Sequence, residues 1–377
     1  MPKVKTVITN FDLISAYGRG IGPLWEGVIA RQSRVNPVTR FSTAAFNCHN
    51  AATISPLNYL EKESLVMQML KTVFTANPGV IPGDAFLLLA TTAGEIDLME
   101  KTALDKSRKA PESKPGDFLK KVQNLLGLKK EGVLVSCACA SSSSAIAEAA
   151  RIIESGQSDC CLVVAADAVS EFVYSGFSSL MALDKDGARP FDKNRGGLSL
   201  GEAAGFILLM SQVRAKKERR PLLTRVAGWG ISCDANHMTG PSRTGEGLIR
   251  AISQALNKSN VDLKEIGCIS GHGTGTLYND AMELFAFKQI FKDRPIPLYS
   301  IKGGTGHALG AAGLVETIMA LNVQRKKIIP GTVGLKEPDP QAAGWVDRAP
   351  RELKRPAVIV NNCGFGGINA ALVLVNN

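Results

Sequence analysis

Cys139 lies where a short apolar run, Val133 to Val135, meets a run of small, helix-forming residues that begins at Ala140. A cysteine at a turn between a strand and a helix faces backbone N–H groups and the positive end of the helix dipole. Both favour the thiolate over the thiol, so the position predicts a nucleophile with a lowered pKa. A cysteine considered alone is more often inert packing, so the prediction depends on what the rest of the chain supplies.

Two of the four histidines lie far downstream, each in a turn rich in glycine. His272 is in the sequence GHGTGT, where glycines allow close backbone approach and the hydroxyls of Thr274 and Thr276 follow. His307 opens a predicted helix, whose dipole disfavours the imidazolium and leaves a neutral ring. Each could also be an ordinary turn histidine. Because two neutral imidazoles can share one carbonyl oxygen, the pair together with the cysteine indicates acyl transfer.

Two charged residues and one aromatic residue accompany the second histidine turn. Lys302 lies five residues before His307, and Glu316 lies on the predicted helix that follows. They could serve the site with a fixed charge, and a purely structural ion pair is an equal alternative. Phe365 lies in a GFGG turn between two apolar runs. It could act as a gate with its backbone N–H available to an oxyanion, and a simple hairpin is the alternative.

Short β-branched runs alternate with longer segments of helical period, which is the pattern of an α/β protein. We predict strands over 4–8, 85–89, 133–135, 161–165, 205–210, 223–229, 268–270, 357–360 and 371–375. We predict helices over 23–30, 64–74, 117–126, 141–154, 245–255, 281–291 and 309–323. The strand, turn and helix at 133–154 recur weakly at 298–323. We therefore predict two similar halves, residues 1–212 with the nucleophile and residues 213–377 with the two histidines.

Composition limits the functional classes. The chain has 377 residues, of which 45% are hydrophobic and 21% charged, as in a globular enzyme. It contains neither an apolar run of the roughly 20 residues that span a bilayer nor a signal-like segment, so we expect a cytoplasmic protein without membrane contact. The eight cysteines are scattered and indicate free thiols. Cys137 and Cys139 lack the second pair that a zinc site needs, so no metal is expected.

The net charge of +10 favours an acidic partner through long-range attraction. Basic clusters occur at 120–121, 129–130 and 214–220, and each is typical of a solvated helix end. No nucleic-acid-binding motif accompanies them, so we expect no nucleic-acid partner.

These motifs occur in an order that resembles the β-ketoacyl-[acyl-carrier-protein] synthases, the elongating condensing enzymes of the thiolase superfamily. The resemblance covers roughly residue 132 to the C-terminus. The similar blocks are ACASS at 138–142, RPFD at 189–192 with GEAAG at 201–205, GHGTGT at 271–276, the segment 302–313, and GFGG at 364–367. The resemblance implies an α/β, thiolase-like fold with five layers (αβαβα), built from two pseudo-repeated halves and usually dimeric.

The resemblance also implies a division of labour. Cys139 would accept an acyl chain as a thioester, and His272 and His307 would bind a malonyl thioester, promote loss of CO2 and stabilise the enolate. Lys302 and Glu316 match the supporting charges of the family. Decarboxylation would supply the driving force, so neither a metal nor a redox cofactor is implied.

The remaining family positions concern substrate binding. The backbone N–H groups of Cys139 and Phe365 match the oxyanion hole, and Thr274 and Thr276 match residues that line the pantetheine tunnel. Ala93 falls where the family often has a bulkier pocket residue, which predicts room for a long or unusual acyl chain. The substrates would be carried on the phosphopantetheine of an acidic acyl carrier protein.

Four functional readings remain at this stage. The first is a β-ketoacyl-ACP synthase of fatty acid or polyketide biosynthesis, acting as a homodimer. The second is a specialised polyene or aromatic polyketide ketosynthase that works as a heterodimer with a partner resembling a chain-length factor. The third is that inactive partner itself, which typically lacks the nucleophile that this chain has. The fourth is a papain-like hydrolase, which would need an Asn or Asp partner for its histidine and open access to water.

Overall fold

The computed structural model describes residues 4–59, 62–104, 115–292 and 294–376. In these ranges the strands are β1 (Thr6–Ser15), β2 (Gly18–Arg19), β3 (Asn36–Pro37), β4 (Asn50–Ala52), β5 (Phe86–Ala90), β6 (Val133–Val135), β7 (Cys160–Asp167), β8 (Leu200–Gly201), β9 (Ala203–Ser211), β10 (Thr224–Cys233), β11 (Ile266–Ser270), β12 (Leu298–Tyr299), β13 (Ile328–Ile329), β14 (Arg351–Glu352), β15 (Ala357–Gly364) and β16 (Ile368–Val375). The α-helices are α1 (Ile21–Ile29), α2 (Leu65–Thr75), α3 (Ile96–Leu104), α4 (Pro115–Leu126), α5 (Ser141–Glu154), α6 (Glu171–Ser179), α7 (Gln212–Lys217), α8 (Glu246–Ser259), α9 (Leu277–Phe291), α10 (Lys302–Thr305) and α11 (Ala312–Lys326).

The main sheet repeats one strand order twice. Its first half runs β6-β5-β7-β9-β1 and its second half runs β12-β11-β15-β16-β10. In each half the first two pairings are parallel and the last two are antiparallel. The halves meet edge to edge where Thr6, Val7 and Ile8 of β1 pair with β10. The prediction of two pseudo-repeated halves is therefore confirmed by identical order and direction.

Helices cover both faces of each half of the sheet. Strand residues alternate between two cores: Leu88 and Val163 face a central layer, whereas Leu89 and Val164 face an outer layer. The central layer is α5 with α11, and these helices contact strands of both halves. One outer layer contains α2, and the other contains α8 and α9. This arrangement gives the five αβαβα layers that the resemblance implied, so the predicted fold class is confirmed.

Helix α11 is enclosed on every side. All residues from Ala312 to Gln324 are buried, including Glu316 and Asn322. A helix without an exposed stripe belongs to the interior of a large protein. Its polar side chains need internal partners there, and Gln324 has them in the hydroxyl of Thr224 and two backbone carbonyls. The central layer therefore places charged and amide groups in a site shielded from water.

The predicted elements are present, and most differ only at their ends. The strand at 133–135 and the helix at 141–154 have the predicted bounds. Strand β15 continues past residue 360 through Asn361 and Asn362, because its backbone stays paired with β16 as far as Gly364. Both side-chain amides are hydrogen-bonded to buried carboxylates. The helices α3, α6, α7 and α10 were not predicted. The boundary at 212/213 stays a prediction and falls where α7 begins.

Two properties follow directly from the structure. No helix within the described ranges is both long and apolar enough to cross a membrane. All eight cysteines, each of which lies in a described range, are free thiols, as the sequence predicted.

Truncation of the central layer should destabilise the whole molecule. Leu314 of α11 is fully buried between the two halves. We expect Leu314→Ala to lower the free energy of unfolding by about 2–5 kcal/mol, because it removes buried methyl groups and leaves a cavity. Urea unfolding of the variant measures the change. Leu263→Ala is the matched control, since Leu263 is 39% exposed, and it should change stability by about 0.5 kcal/mol or less.

Candidate active site

Cys139 lies in the turn that joins β6 to α5. Ala138 before it has a φ of 46°, an unusual value for a residue with a side chain. Ser141 holds the turn: its hydroxyl accepts from the N–H of Cys137 at 2.8 Å and donates to the carbonyl of Ala138 at 2.6 Å. The strained residue presents Cys139 at the start of the helix, with only 6% of its surface exposed.

Burial determines the protonation state of this sulfur. It raises the pKa of the Cys139 thiol to about 12, while the charge of Lys302 and the backbone N–H of Phe365 act in the opposite direction. The sequence-based prediction of a lowered pKa is therefore wrong for the unliganded protein. The N–H groups at the helix start do favour the anion, but removing the sulfur from water costs more. Cys139 is a thiol at neutral pH and must lose its proton to react.

His272 lies on the turn after β11, and a buried carboxylate holds its backbone. Glu283 of α9 accepts from the N–H of His272 at 2.7 Å and from the N–H of Gly273 at 2.6 Å. The amides of Asn279 and Asn361 donate to the same carboxylate at 2.8 and 2.9 Å. Burial and the nearby Asp280 raise the pKa of Glu283 to about 7. Glu283 thereby fixes the histidine in place.

Sequence reasoning missed both acidic residues of α9. Asp280 accepts from the N–H groups of Thr274 and Gly275, and from that of Phe191 at 2.7 Å. It thus binds the histidine turn to the RPFD block. In the sequence, Asp280 and Glu283 read as two ordinary helix charges. Their only signal was a spacing that places both on the helix face nearest the turn.

His307 is held by the other half of the molecule. The backbone N–H of His307 donates to the carbonyl of Ser199 at 2.7 Å, and the backbone carbonyl of His307 accepts from the N–H of Gly201 at 3.0 Å. A side chain at position 201 would come within 2.1 Å of the Thr305 carbonyl, so only glycine fits there. The GEAAG block therefore has a structural role, which is to hold the turn of His307.

The structure brings the three predicted reactive side chains together. One nitrogen from each histidine and the sulfur of Cys139 lie within 4.8 Å of one another, and all three residues are buried. The two rings are almost perpendicular, with centroids 5.1 Å apart. Burial and the charge of Lys302 lower both histidine pKa values far below the usual 6.5, so both rings are neutral.

The same three atoms are also a possible ligand set for a metal ion. However, the ammonium of Lys302 lies 3.3 Å from Nδ1 of His272. That positive charge opposes a cation and favours an anion in the same space. The electrostatics of the site therefore suit an oxyanion better than a metal.

Lys302 and Glu316 lie behind His272 and do not line the cavity that opens onto Cys139 and the two histidines. Glu316 forms an ion pair with Nζ of Lys302, and the same ammonium donates to the carbonyl of His272. With Nδ1 of His272 as its third acceptor, the ammonium uses all three of its hydrogens. Both residues therefore act on the chemistry through their hydrogen bonds to each other and to His272, and Lys302 also acts through its charge on Cys139 and His307.

A cavity of about 440 Å³ opens onto Cys139, His272 and His307. Thr274, Thr276 and Phe365 line it, and their role in substrate binding stays a prediction. The ring of Phe365 stacks on Phe177, with centroids 5.7 Å apart. The hydroxyls of Thr274 and Thr276, which follow His272 in the GHGTGT sequence, lie 2.9 Å from each other. The cavity wall thus contains both polar groups and aromatic residues.

Ala93 is the predicted substrate-binding residue that lies elsewhere. It does not line this cavity. Its N–H donates to the carboxylate of Asp167 at 3.1 Å, and its methyl group packs against a separate buried cluster that contains Val169 and Tyr174. Asp167 also accepts from the N–H of Gly310 at 2.8 Å, so it links this turn to the segment after His307. A role for Ala93 in acyl-chain length stays a prediction.

The fold and this constellation define an acyl-transferring condensing enzyme of the thiolase-like class. Two sequence profiles agree: residues 121–215 match "Beta-ketoacyl synthase, N-terminal domain" and residues 223–336 match "Beta-ketoacyl synthase, C-terminal domain". The chain belongs to the β-ketoacyl synthase family.

Full-length relatives and solved structures give the same result. The chain is 29% identical to 3-oxoacyl-[acyl-carrier-protein] synthase 2 of Coxiella burnetii and 28% identical to that of Synechocystis. These alignments cover 99% of this chain with 99% and 98% of the relatives. The ishigamide ketosynthase/chain length factor structure superposes with a TM-score of 0.89 at 29% identity and full coverage of both chains. The structure of the ketosynthase ApeO in complex with its chain length factor ApeC from Xenorhabdus doucetiae superposes with a TM-score of 0.82 at 26% identity. This superposition covers 99% of this chain and 98% of that one.

Alkylation tests the protonation state of the nucleophile. Because burial raises the pKa of Cys139 to about 12, its reaction with iodoacetamide should rise about tenfold per pH unit through pH 8 to 10. Peptide mass spectrometry at short reaction times measures the rate. N-acetylcysteine under the same conditions is the reference and should level off near its own pKa. A Cys139 rate that levels off below about pH 8 would contradict the raised pKa.

Proposed function

We propose that this protein is a β-ketoacyl-ACP synthase that performs a decarboxylative Claisen condensation between an acyl chain on Cys139 and malonyl-ACP. One observation supports this most strongly. A buried cysteine at a helix start lies within 4.8 Å of nitrogens from two neutral imidazoles. These imidazoles are hydrogen-bond donors, and the charge behind them favours an anion. The site is therefore suited to bind a negative charge that develops on a carbonyl oxygen.

The first half-reaction loads the enzyme. The sulfur of Cys139 attacks the carbonyl carbon of an acyl thioester, whose oxygen becomes negative. The backbone N–H groups of Cys139 and Phe365 both face the sulfur and would hold this oxygen. The carrier thiol then leaves with the proton that Cys139 gives up, so the acyl group moves to the enzyme with no net change in charge.

The second half-reaction forms the carbon–carbon bond. His272 and His307 would hold the thioester carbonyl of the malonyl group, which loses CO2 and leaves an enolate. The enolate carbon attacks the acyl carbonyl on Cys139, and the sulfur leaves as a thiolate that takes a proton from solvent. Because release of CO2 drives the reaction, we propose that it requires neither a metal nor a redox cofactor.

The histidine environment argues against a cysteine hydrolase. In such enzymes an Asn or Asp oxygen accepts a hydrogen from the imidazole and orients it towards the sulfur. Here the groups at Nδ1 of His272 are Lys302 and the amide nitrogen of Asn362, both at 3.3 Å. Both are donors. Cys139 also has little contact with solvent, whereas hydrolysis needs water at the acyl group.

We propose an acidic acyl carrier protein as the partner that delivers both substrates on its phosphopantetheine. The net charge of +10 provides the long-range attraction. A structural neighbour, AntDE:AntF, is a type II PKS acyl-carrier protein in complex with its ketosynthase. We place the protein in the cytoplasm, which suits a chain with eight free thiols.

We propose a dimer, either of this chain alone or with a related subunit. The edge strand β6 directly precedes the nucleophile turn, and no strand of the described chain pairs with its outer side. A second copy placed there would complete the sheet. The heterodimer is favoured by a specific observation, since the neighbours with 29% and 26% identity are described with a chain length factor. The second candidate function is therefore a specialised polyene or aromatic polyketide ketosynthase with such a partner.

Acyl loading tests the nucleophile. Incubation with acyl-ACP thioesters of increasing chain length should add one acyl mass to the wild type and none to Cys139→Ala, measured by intact mass spectrometry. The series also reports chain-length preference, which we expect to include long acyl groups. The matched control is Cys233→Ala, which removes an exposed thiol and should load normally. An adduct that persists in Cys139→Ala would refute the assigned nucleophile.

His307→Ala separates the two half-reactions. Because the oxyanion donors of the loading step are backbone groups, the variant should still load Cys139. Loss of one donor to the enolate should lower malonyl decarboxylation by about 10²–10³. An assay of CO2 released from malonyl-ACP measures this step. Unimpaired decarboxylation, or loss of loading instead, would contradict the assigned role.

A further inference from the structure

Asn362 is a buried amide that the mechanism above does not use. It lies on β15, is fully buried, and contacts both central helices. The hydroxyl of Ser143 on α5 donates to its Oδ1. On α11, a side chain at position 313 would come within 2.7 Å of that oxygen, so the glycine there leaves room for it. These contacts fix the orientation of the amide and direct its nitrogen away from α5.

The amide nitrogen faces two acceptors. It donates to Oε2 of Glu316 at 2.6 Å and lies 3.3 Å from Nδ1 of His272. Nζ of Lys302 also lies 3.3 Å from Nδ1. An amide nitrogen and an ammonium are donors only. Nδ1 therefore carries the lone pair, and the ring proton of neutral His272 is on Nε2.

We propose that Asn362 is a positioning residue that keeps His272 in the tautomer with the proton on Nε2. This inference rests on the proposed function, because it concerns the donor that would bind the enolate oxygen. The amide is neutral, so it cannot exchange its donor role by proton transfer. It also occupies the second oxygen of Glu316, whose first oxygen is bound by Lys302.

Without this amide, one oxygen of Glu316 would lose its donor, and Lys302 alone of the two donors would remain beside Nδ1. A carboxylate in place of the amide favours a proton on Nδ1, and Nε2 would then present a lone pair to the cavity. A lone pair repels an enolate oxygen. Loss of the tautomer should thus affect decarboxylation and condensation, but not the transfer of the acyl group to Cys139.

Asn362→Asp is the direct test, because it keeps the shape and replaces the donor with an oxygen. Loading of Cys139 should stay within a few-fold of the wild type, while malonyl decarboxylation should fall by about 10²–10³. In protein labelled with ¹⁵N-histidine, the His272 signals should show the proton on Nε2 in the wild type and on Nδ1, or on both nitrogens, in the variant. His272→Gln assigns these signals. Asn362→Ser, which is too short to reach Nδ1, provides a second loss of the donor.

The matched control is Asn361→Asp, the same change beside a different buried carboxylate. Asn361 donates to Glu283, which holds the backbone of His272 and not its ring. This control should lower thermal stability but retain the Nε2–H signature. The inference is overturned if Asn362→Asp keeps that signature or decarboxylates like the wild type. If instead the wild type decarboxylates no malonyl thioester, the proposed function fails, while the NMR result still decides the tautomer.

Discussion

The active site depends on one ion pair in the dry interior, that of Lys302 with Glu316. Two opposite charges in such surroundings are stable only when every donor and acceptor has a partner. Lys302 meets this condition by contacting Glu316 and both the carbonyl and the ring of His272. Burial, with the positive charge of Lys302 as the second cause, keeps both imidazoles neutral, and the charge makes the cavity attractive to an oxyanion. The chemistry of the site therefore depends on burial together with that single charge.

The duplicated architecture brings the reactive groups together. Cys139 follows β6, and Lys302 and His307 follow β12. These two strands occupy the same position in the strand order of their halves. Because the two halves share one strand order, equivalent turns approach each other across the central helices. The first half also holds His307 through Ser199 and Gly201. The site therefore lies at the junction of the halves, and neither half contains it alone.

Buried acceptors in this protein act mainly on backbone turns. Glu283 and Asp280 hold the His272 turn, and Asp167 connects the 91–93 turn to Gly310. Each carboxylate accepts several N–H groups that would otherwise be unpaired in the interior. Burial raises the pKa of all three, yet their hydrogen bonds oppose that shift. These hydrogen bonds offset part of the cost of burying the carboxylates, and they hold the turns of the active site in place.

The sequence by itself determined the element types, the two-half fold and the candidates Cys139, His272 and His307, because periodicity and local motifs reflect short-range backbone physics. Thr274, Thr276 and Phe365 also line the cavity, whereas Ala93 does not, since it packs against a separate buried cluster. Only the tertiary structure decided the protonation states. The thiol of Cys139 is less acidic than its helix position indicates, because desolvation is set by everything packed around it. The roles of Glu283 and Asn362 also depend on tertiary structure. They contact His272 across 11 and 90 residues of chain, and a local sequence pattern does not predict such contacts.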